Sequence, residues 1–260
     1  MSDLEFRVEH GVATITLNRP AKKNAFTFEM LDEWAQHLHF CQAADDVRVV
    51  VMTGSGGSFC AGVDFDSLDA TERSPLQEKR QLQERVHQVA LALEAIDKPV
   101  IAAVAGPAVG AGMDMALLCD LRIAAKSARF SEGYVRVGLV PGDGGTWLLP
   151  RIVGRSTALK LLWTGDFVDA EEALRIGLVE QICEDDDLAS VTNDLARKLA
   201  GQSPIVVRLV KRAVRQGETH DLRTSLDLIS SHMAVVTSTR DYVEARAAFR
   251  DRRPANFEGN

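Results

Sequence analysis

"GPAVGAGMDMALLCDLRIAA", residues 106–125, runs from a glycine turn through an amphipathic stretch into an apolar strand. An apolar run, "KPVIAAVAG" (98–106), leads into it, and Gly110, Ala111 and Gly112 open the amphipathic part. That order puts the amide N–H groups near residue 111 at a helix amino terminus, facing outward. The first N–H groups of a helix lack partners and the helix dipole adds to them, so negative charge is favoured there. Small residues let a ligand come close to the backbone.

Working outward, "VRVVVMTG" (47–54) is another apolar run that ends in glycine. Short apolar runs alternating with helical spacing imply strands buried on both faces. Residues 5–17 alternate in two runs about Gly11, a hairpin signal. Phe28, Leu31, Trp34, Leu38 and Cys41 stand at helical spacing, which predicts a helix over 27–42. A polar stretch, 64–75, precedes a helix from Leu76 to Ile96. "LRIAAKSARF" (121–130) reads as one strand, a helix begins near Gly145, and from 187 onward the chain reads as helical. The expectation is an α/β core over residues 1–200 with a helical region over 201–260.

The 260 residues are 46% hydrophobic with 8 prolines, enough for a sizeable core. Net charge is −7 and the 30 basic residues are scattered, which argues against a nucleic-acid partner. No apolar run is long enough to cross a bilayer. The amino terminus, "MSDLEFRVEHGVATITL", opens with acids and alternates like a strand, unlike a signal peptide. Cys41, Cys60, Cys119 and Cys183 lie far apart without a CxxC, which suits reduced thiols in a cytoplasm. His37 and His39 fall on different faces of their helix, and no metal site is expected.

A second small-residue segment, "TGSGGSFCAGVDF" (53–65), follows the 47–54 strand. One such turn is ordinary. Two of them, with Asp64 and Asp114 just inside, point to one site. Together with "GLVPGDGGTWLLPRIVG" (138–154), these segments resemble the crotonase superfamily, also called the enoyl-CoA hydratase/isomerase family. "ITLNRPAKKNAF" (15–26) and "LLWTGDFVDAEEALRIGLVEQI" (161–182) extend the resemblance over most of the chain.

The resemblance implies a crotonase-like spiral of ββα units with a helical C-terminal region that closes the pocket and packs in a homotrimer or a dimer of trimers. It implies an acyl-CoA substrate, with coenzyme A arriving as part of that substrate and no other cofactor. The amides of Val63 and Ala111 match the pair that holds the thioester oxygen. Preorganised donors of this kind contribute about 3–4 kcal/mol each to an oxyanion. Lys23, Ala25, Ala61, Gly62, Asp64 and Phe65 match the positions along the CoA moiety, with Lys22 or Lys23 near its phosphates.

Hydratases of the family use two glutamates, and the matching positions here are Asp114 and Tyr134. Glu132 reads as an exposed loop residue, although on an extended segment it would share a face with Tyr134. Asp143 has two readings: the N-cap of the helix at 145, or a working acid. The second matches superfamily members such as dienoyl-CoA isomerases, 4-chlorobenzoyl-CoA dehalogenases and carbon–carbon bond hydrolases of cyclic β-diketones. His87 fits the dehalogenase pattern or a half-buried structural role, Tyr134 contacts substrate or packs, and Tyr242 closes a pocket. The expected activity is thioester-enolate chemistry of the hydratase/isomerase type, with Asp114 or Asp143 moving the proton. The alternatives are a crotonase-fold hydrolase using Asp143 and a non-catalytic acyl-CoA- or RNA-binding relative.

Overall fold

The computed structural model describes residues 2–67 and 74–260. Strand β1 (Leu4–Glu9) turns back through His10 and Gly11, both at positive φ (52° and 78°), into β2 (Val12–Leu17). Two left-handed residues suit the right-handed twist of a tight hairpin. The antiparallel register pairs Leu4 with Leu17 and Val8 with Ala13. Beyond β2 the large sheet is parallel: β3 (Val49–Gly54), β4 (Val100–Val104), β6 (Leu121–Ala125) and β9 (Gln181–Cys183) follow in that order.

Both faces of this sheet are covered, which is why β4 reads as an unbroken apolar run. Helix α1 (Phe28–Ala43) packs Leu31, Trp34 and Leu38 on one side, against Ile15, Val50 and Ala102. Helix α8 (Leu188–Ala200) covers the other, where Val49, Val51, Ile101 and Ile123 meet Leu188 and Ala196.

The run 121–130 is two strands rather than one. After β6 the chain turns at Ala128, whose amide donates to Ala125 O (2.9 Å), and Ser127 Oγ accepts the Gly106 amide (3.1 Å). The turn moves the chain into a second, three-stranded sheet of β5 (Pro107–Val109), β7 (Arg129–Ser131) and β8 (Val168–Asp169). Strand β4 steps into β5 in the same way and α4 (Ala111–Leu117) follows. Repetition of strand, strand, helix winds the chain in a spiral.

The helix expected over 76–96 is interrupted. Helix α2 (Pro75–Gln81) starts at a capping box made by Ser74 and Gln77, a π-helical turn covers Leu82–Val86, and α3 (His87–Ala95) continues. The wider turn shifts which side chains face inward. Helices α5 (Gly145–Val153), α6 (Arg155–Thr164) and α7 (Ala170–Arg175) lie between β7 and β9.

Helix α9 (Pro204–Gly217) is fastened to the core by charge. Arg208 and Arg212 donate to the two oxygens of Asp97 (2.8 and 2.5 Å), and Lys211 donates to Asp120 (2.6 Å). Helix α10 (Leu222–Thr237) buries no residue, and α11 (Arg240–Asp251) returns Asp241 to accept the Ser203 hydroxyl at 2.7 Å.

Burial by itself would push the Asp97 carboxyl up, but the hydrogen bonds and charges of Arg208 and Arg212 outweigh it and hold the group below its usual 3.8. Its contribution is therefore complete above the unfolded value and is lost as pH falls through the lower folded value. Because both arginines are partly exposed, Asp97→Ala is expected to cost about 1–2 kcal/mol at neutral pH. Urea denaturation of both proteins at neutral and acidic pH checks this, and the difference should shrink as the medium is acidified.

Candidate active site

Two chain segments meet backbone to backbone at the carboxyl ends of β3 and β4. Cys60 donates to Pro107 O (3.1 Å) and Val109 donates to Cys60 O (2.9 Å). On the other edge, Phe26 donates to Gly62 O and Asp64 donates to Phe26 O, both at 2.9 Å. In that parallel bridge the Val63 amide points the opposite way. Gly62 sits at φ +94°, and a Cβ there would lie 3.0 Å from Val109 O and 3.6 Å from the Ala111 nitrogen. Such an approach at such a φ requires glycine. Val63 and Ala111 both line a cavity of about 850 Å³, and among the described residues neither amide donates to another group of the chain.

The acids assemble beside this seam. Asp114, on the first turn of α4, is fully buried. The Tyr134 hydroxyl donates to Asp114 Oδ2 (2.7 Å) and lies 3.2 Å from Asp143 Oδ2, while the Asp143 amide reaches Asp114 Oδ2 at 3.3 Å. Tyr134 and Asp143 line the cavity, whereas Asp114 lies behind them. Gly145, opening α5, leaves room for the cluster: a Cβ there would sit 2.2 Å from Asp114 Oδ1 and 2.7 Å from Glu132 Oε1.

Glu132 is a correction to the sequence reading. It is only 1% exposed rather than a loop residue in solvent. The segment is not extended either: Gly133–Val137 forms a tight 3-10 turn, anchored by the Ser131 hydroxyl on Gly165 O (2.8 Å). The turn sends residues 132 and 134 inward together. Its signal in the sequence is faint, no more than an acid directly following a short buried strand.

Asp143 is not an N-cap. Gly144 occupies that position at φ 110°, without a side-chain cap, and the Asp143 carboxyl faces Tyr134. His87 lines the cavity and donates from Nε2 to Gly142 O (2.9 Å), tying α3 to the loop that carries Asp143.

Burial, then the nearby Asp114 charge, pushes the Asp143 carboxyl up to about 7, with the Tyr134 hydrogen bond opposing. Burial and the charges of Asp114 and Asp143 push Glu132 up to about 10. Tyr134 is raised for the same reasons. Asp114 is raised by burial, while hydrogen bonds from the Tyr134 hydroxyl and the Asp143 amide pull it back. Desolvation favours the neutral acid, and donors favour the anion.

Ala61, Gly62 and Phe65 line the cavity, whereas Lys23, Ala25 and Asp64 do not. Asp64 is buried and ion-paired with Arg19 (2.8 Å), Ala25 O accepts from the same guanidinium (2.6 Å), and Lys23 O accepts the Ala61 amide (3.0 Å). These residues brace the seam with side chain or carbonyl. Tyr242 lies on α11 beneath the Arg246 guanidinium, away from this chain's cavity.

Residues 7–260 match the family model described as enoyl-CoA hydratase/isomerase. The chain belongs to the enoyl-CoA hydratase/isomerase family. It is similar to the 1,2-epoxyphenylacetyl-CoA isomerase of Escherichia coli (39% identical, covering 97% of each chain). It is also similar to a short-chain-enoyl-CoA hydratase of Clostridium acetobutylicum (37% identical, covering 94% of this chain and 93% of that one). The solved enoyl-CoA hydratase of Bacillus anthracis superposes with a TM-score of 0.94 at 32% identity over 100% of both chains. The two-sheet spiral is thus the crotonase fold, and the protein is an enzyme of the enoyl-CoA hydratase/isomerase type.

In this family member Asp143 has a stability consequence with a definite sign. Its folded value of about 7 lies above the ordinary 3.8, so the native state holds a proton that the unfolded chain has released between those limits. Stability falls as pH rises through that window and stays lower above it. Asp143→Asn is therefore expected to stabilise the protein at about pH 8 by on the order of 2 kcal/mol. Thermal denaturation at stepped pH checks it, and the gain should vanish towards about pH 4.

Proposed function

We propose that this enzyme moves a carbon–carbon double bond within an acyl-CoA through a thioester enolate, with Asp143 carrying the proton. One observation supports this above the others: Asp143 is the buried carboxylic acid on the cavity wall, and its Oδ1 has no partner within the described residues. The Asp143 carboxylate takes a proton from a carbon conjugated with the thioester. The electron pair of that C–H bond moves into the carbonyl, giving an enolate oxygen that the Val63 and Ala111 amides receive. The Asp143 acid then returns the proton to a different carbon of the conjugated system. A carboxyl that titrates near neutrality suits both halves of this shuttle.

Hydration would call for a second acid at the water. The position where that acid would stand holds Tyr134, with Asp114 behind it, so the arrangement favours isomerisation. The acyl group enters among Phe26, Phe28, Leu82 and Val86, which suits an apolar chain or ring. Coenzyme A belongs to the substrate, and the chemistry needs no other cofactor. Self-assembly into trimers or pairs of trimers is part of the same reading. It is supported by α10, which buries nothing and exposes Leu222, Leu226 and Met233. A cytoplasmic location is supported by four free cysteines.

Offered a 3-enoyl-CoA, the enzyme should form the conjugated 2-enoyl-CoA, read by its ultraviolet absorbance. Asp143→Asn should lower kcat by about 10²–10⁴-fold. In the wild type kcat/KM should rise as pH passes about 7, because the carboxylate is the form that abstracts the proton. Faster hydration of crotonyl-CoA than isomerisation of the 3-enoyl thioester would overturn the choice.

A further inference from the structure

Behind the cavity wall, Glu132 has no role in the shuttle just described, yet it is only 1% exposed. Neither of its oxygens receives a hydrogen bond from a donor group among the described residues, and the same holds for Asp114 Oδ1. These orphaned oxygens lie in one small space: a Cβ on Gly145 would be 2.2 Å from Asp114 Oδ1 and 2.7 Å from Glu132 Oε1. Two carboxylates cannot share such a place with both charges intact unless a cation offsets them. No Lys, Arg or His side chain hydrogen-bonds to Asp114, Glu132 or Asp143 among the described residues.

We propose that Glu132 is a positioning residue that stays protonated and donates its O–H to Asp114, so that this pair, acting through Tyr134, sets the proton affinity of Asp143. The inference rests on the reading of Asp143 as the proton carrier.

The hydrogen-bond inventory decides which acid keeps the proton. Asp114 gathers the Tyr134 hydroxyl and the Asp143 amide, both donors that favour an anion. Glu132 gathers none of these and is raised by burial and by both aspartates, so it keeps its proton. The Tyr134 hydroxyl, with one hydrogen and two carboxylate neighbours, points it at the nearer one, Asp114 (2.7 against 3.2 Å). Asp143 is left with a neighbouring charge and without a firm donor, which is the condition of a base poised near neutrality.

The groups facing this cluster are few. Asp114 comes from α4, Tyr134 from the 3-10 turn, Asp143 from the loop before α5, and the buried Cys60 thiol lies close enough to feel Asp143. His87 reaches only the neighbouring carbonyl of Gly142. If Glu132 could not hold a proton for Asp114, Asp114 would take one itself. Its repulsion of Asp143 would then vanish, making Asp143 a weaker base.

The test compares Glu132→Gln, Glu132→Leu and the wild type in the isomerase assay across pH. Glutamine keeps a neutral donor, so the acid limb of kcat/KM should stay in place and kcat should be largely rescued. Leucine removes the donor, so the acid limb should move down by about 1 unit and kcat should fall by about tenfold. A merely structural glutamate would not move the limb. Infrared spectra at neutral pH give a readout free of turnover: the wild type should show a protonated-carboxyl band that Glu132→Gln lacks.

A glutamine variant as impaired as the leucine one, or identical carboxyl bands in wild type and Glu132→Gln, would overturn the proposal. Retained isomerisation in Asp143→Asn would instead overturn the proton-carrier reading, with the infrared comparison still deciding whether Glu132 is neutral. Should the leucine variant fail to fold, the glutamine variant and the band remain decisive.

Discussion

The backbone of residues 60–63 lies against that of 109–112, and the hydrogen bonds between Cys60 and residues 107 and 109 hold it there. The two backbone donors and the position of Asp114 hang from this contact. It leaves the Val63 and Ala111 amides unspent at the cavity, and it sets where α4 begins and hence where Asp114 stands. Side chains at either segment would keep the two apart, which explains why small residues crowd there. Two successive strands, β3 and β4, each leave the large sheet at a glycine-bearing turn, so the contact follows from the way the chain steps between sheets.

Around that seam the enzyme places charge in layers. Asp143 meets the cavity, Tyr134 stands beside it, and Asp114 and Glu132 lie behind. Layering matters because burial raises every carboxyl in the set, while donors lower only those they reach. Three acids of similar intrinsic strength are thereby raised to different extents. A cluster to which no cation is bonded among the described residues also costs stability, and the surrounding core must supply it. Asp97 shows the opposite arrangement: also buried, it is held charged by two arginines of α9.

Much of the fold was legible in the chain. The hairpin at Gly11, the α1 stripe from Phe28 to Cys41, and the apolar runs at 47–54 and 98–106 appear at their expected places, since each is governed by local periodicity. Family membership was legible too, because motifs in order survive in sequence. The second sheet was not: β5, β7 and β8 are two or three residues long, too short for alternation to register. The break of the 121–130 strand escaped for the same reason, its turn being settled by a bond to distant Gly106.

For the site, residue identity determined the candidates: two small-residue turns, an aspartate in "PGDGGT", and a tyrosine where hydratases keep an acid. Only the tertiary structure decided their surroundings. It turned Asp143 away from capping and toward the cavity, put Asp114 behind Tyr134, and buried Glu132, which reads as a surface glutamate. The physical reason is that burial and hydrogen-bond partners come from segments distant in the chain. The proton a carboxyl holds depends on those surroundings rather than on its neighbours in sequence.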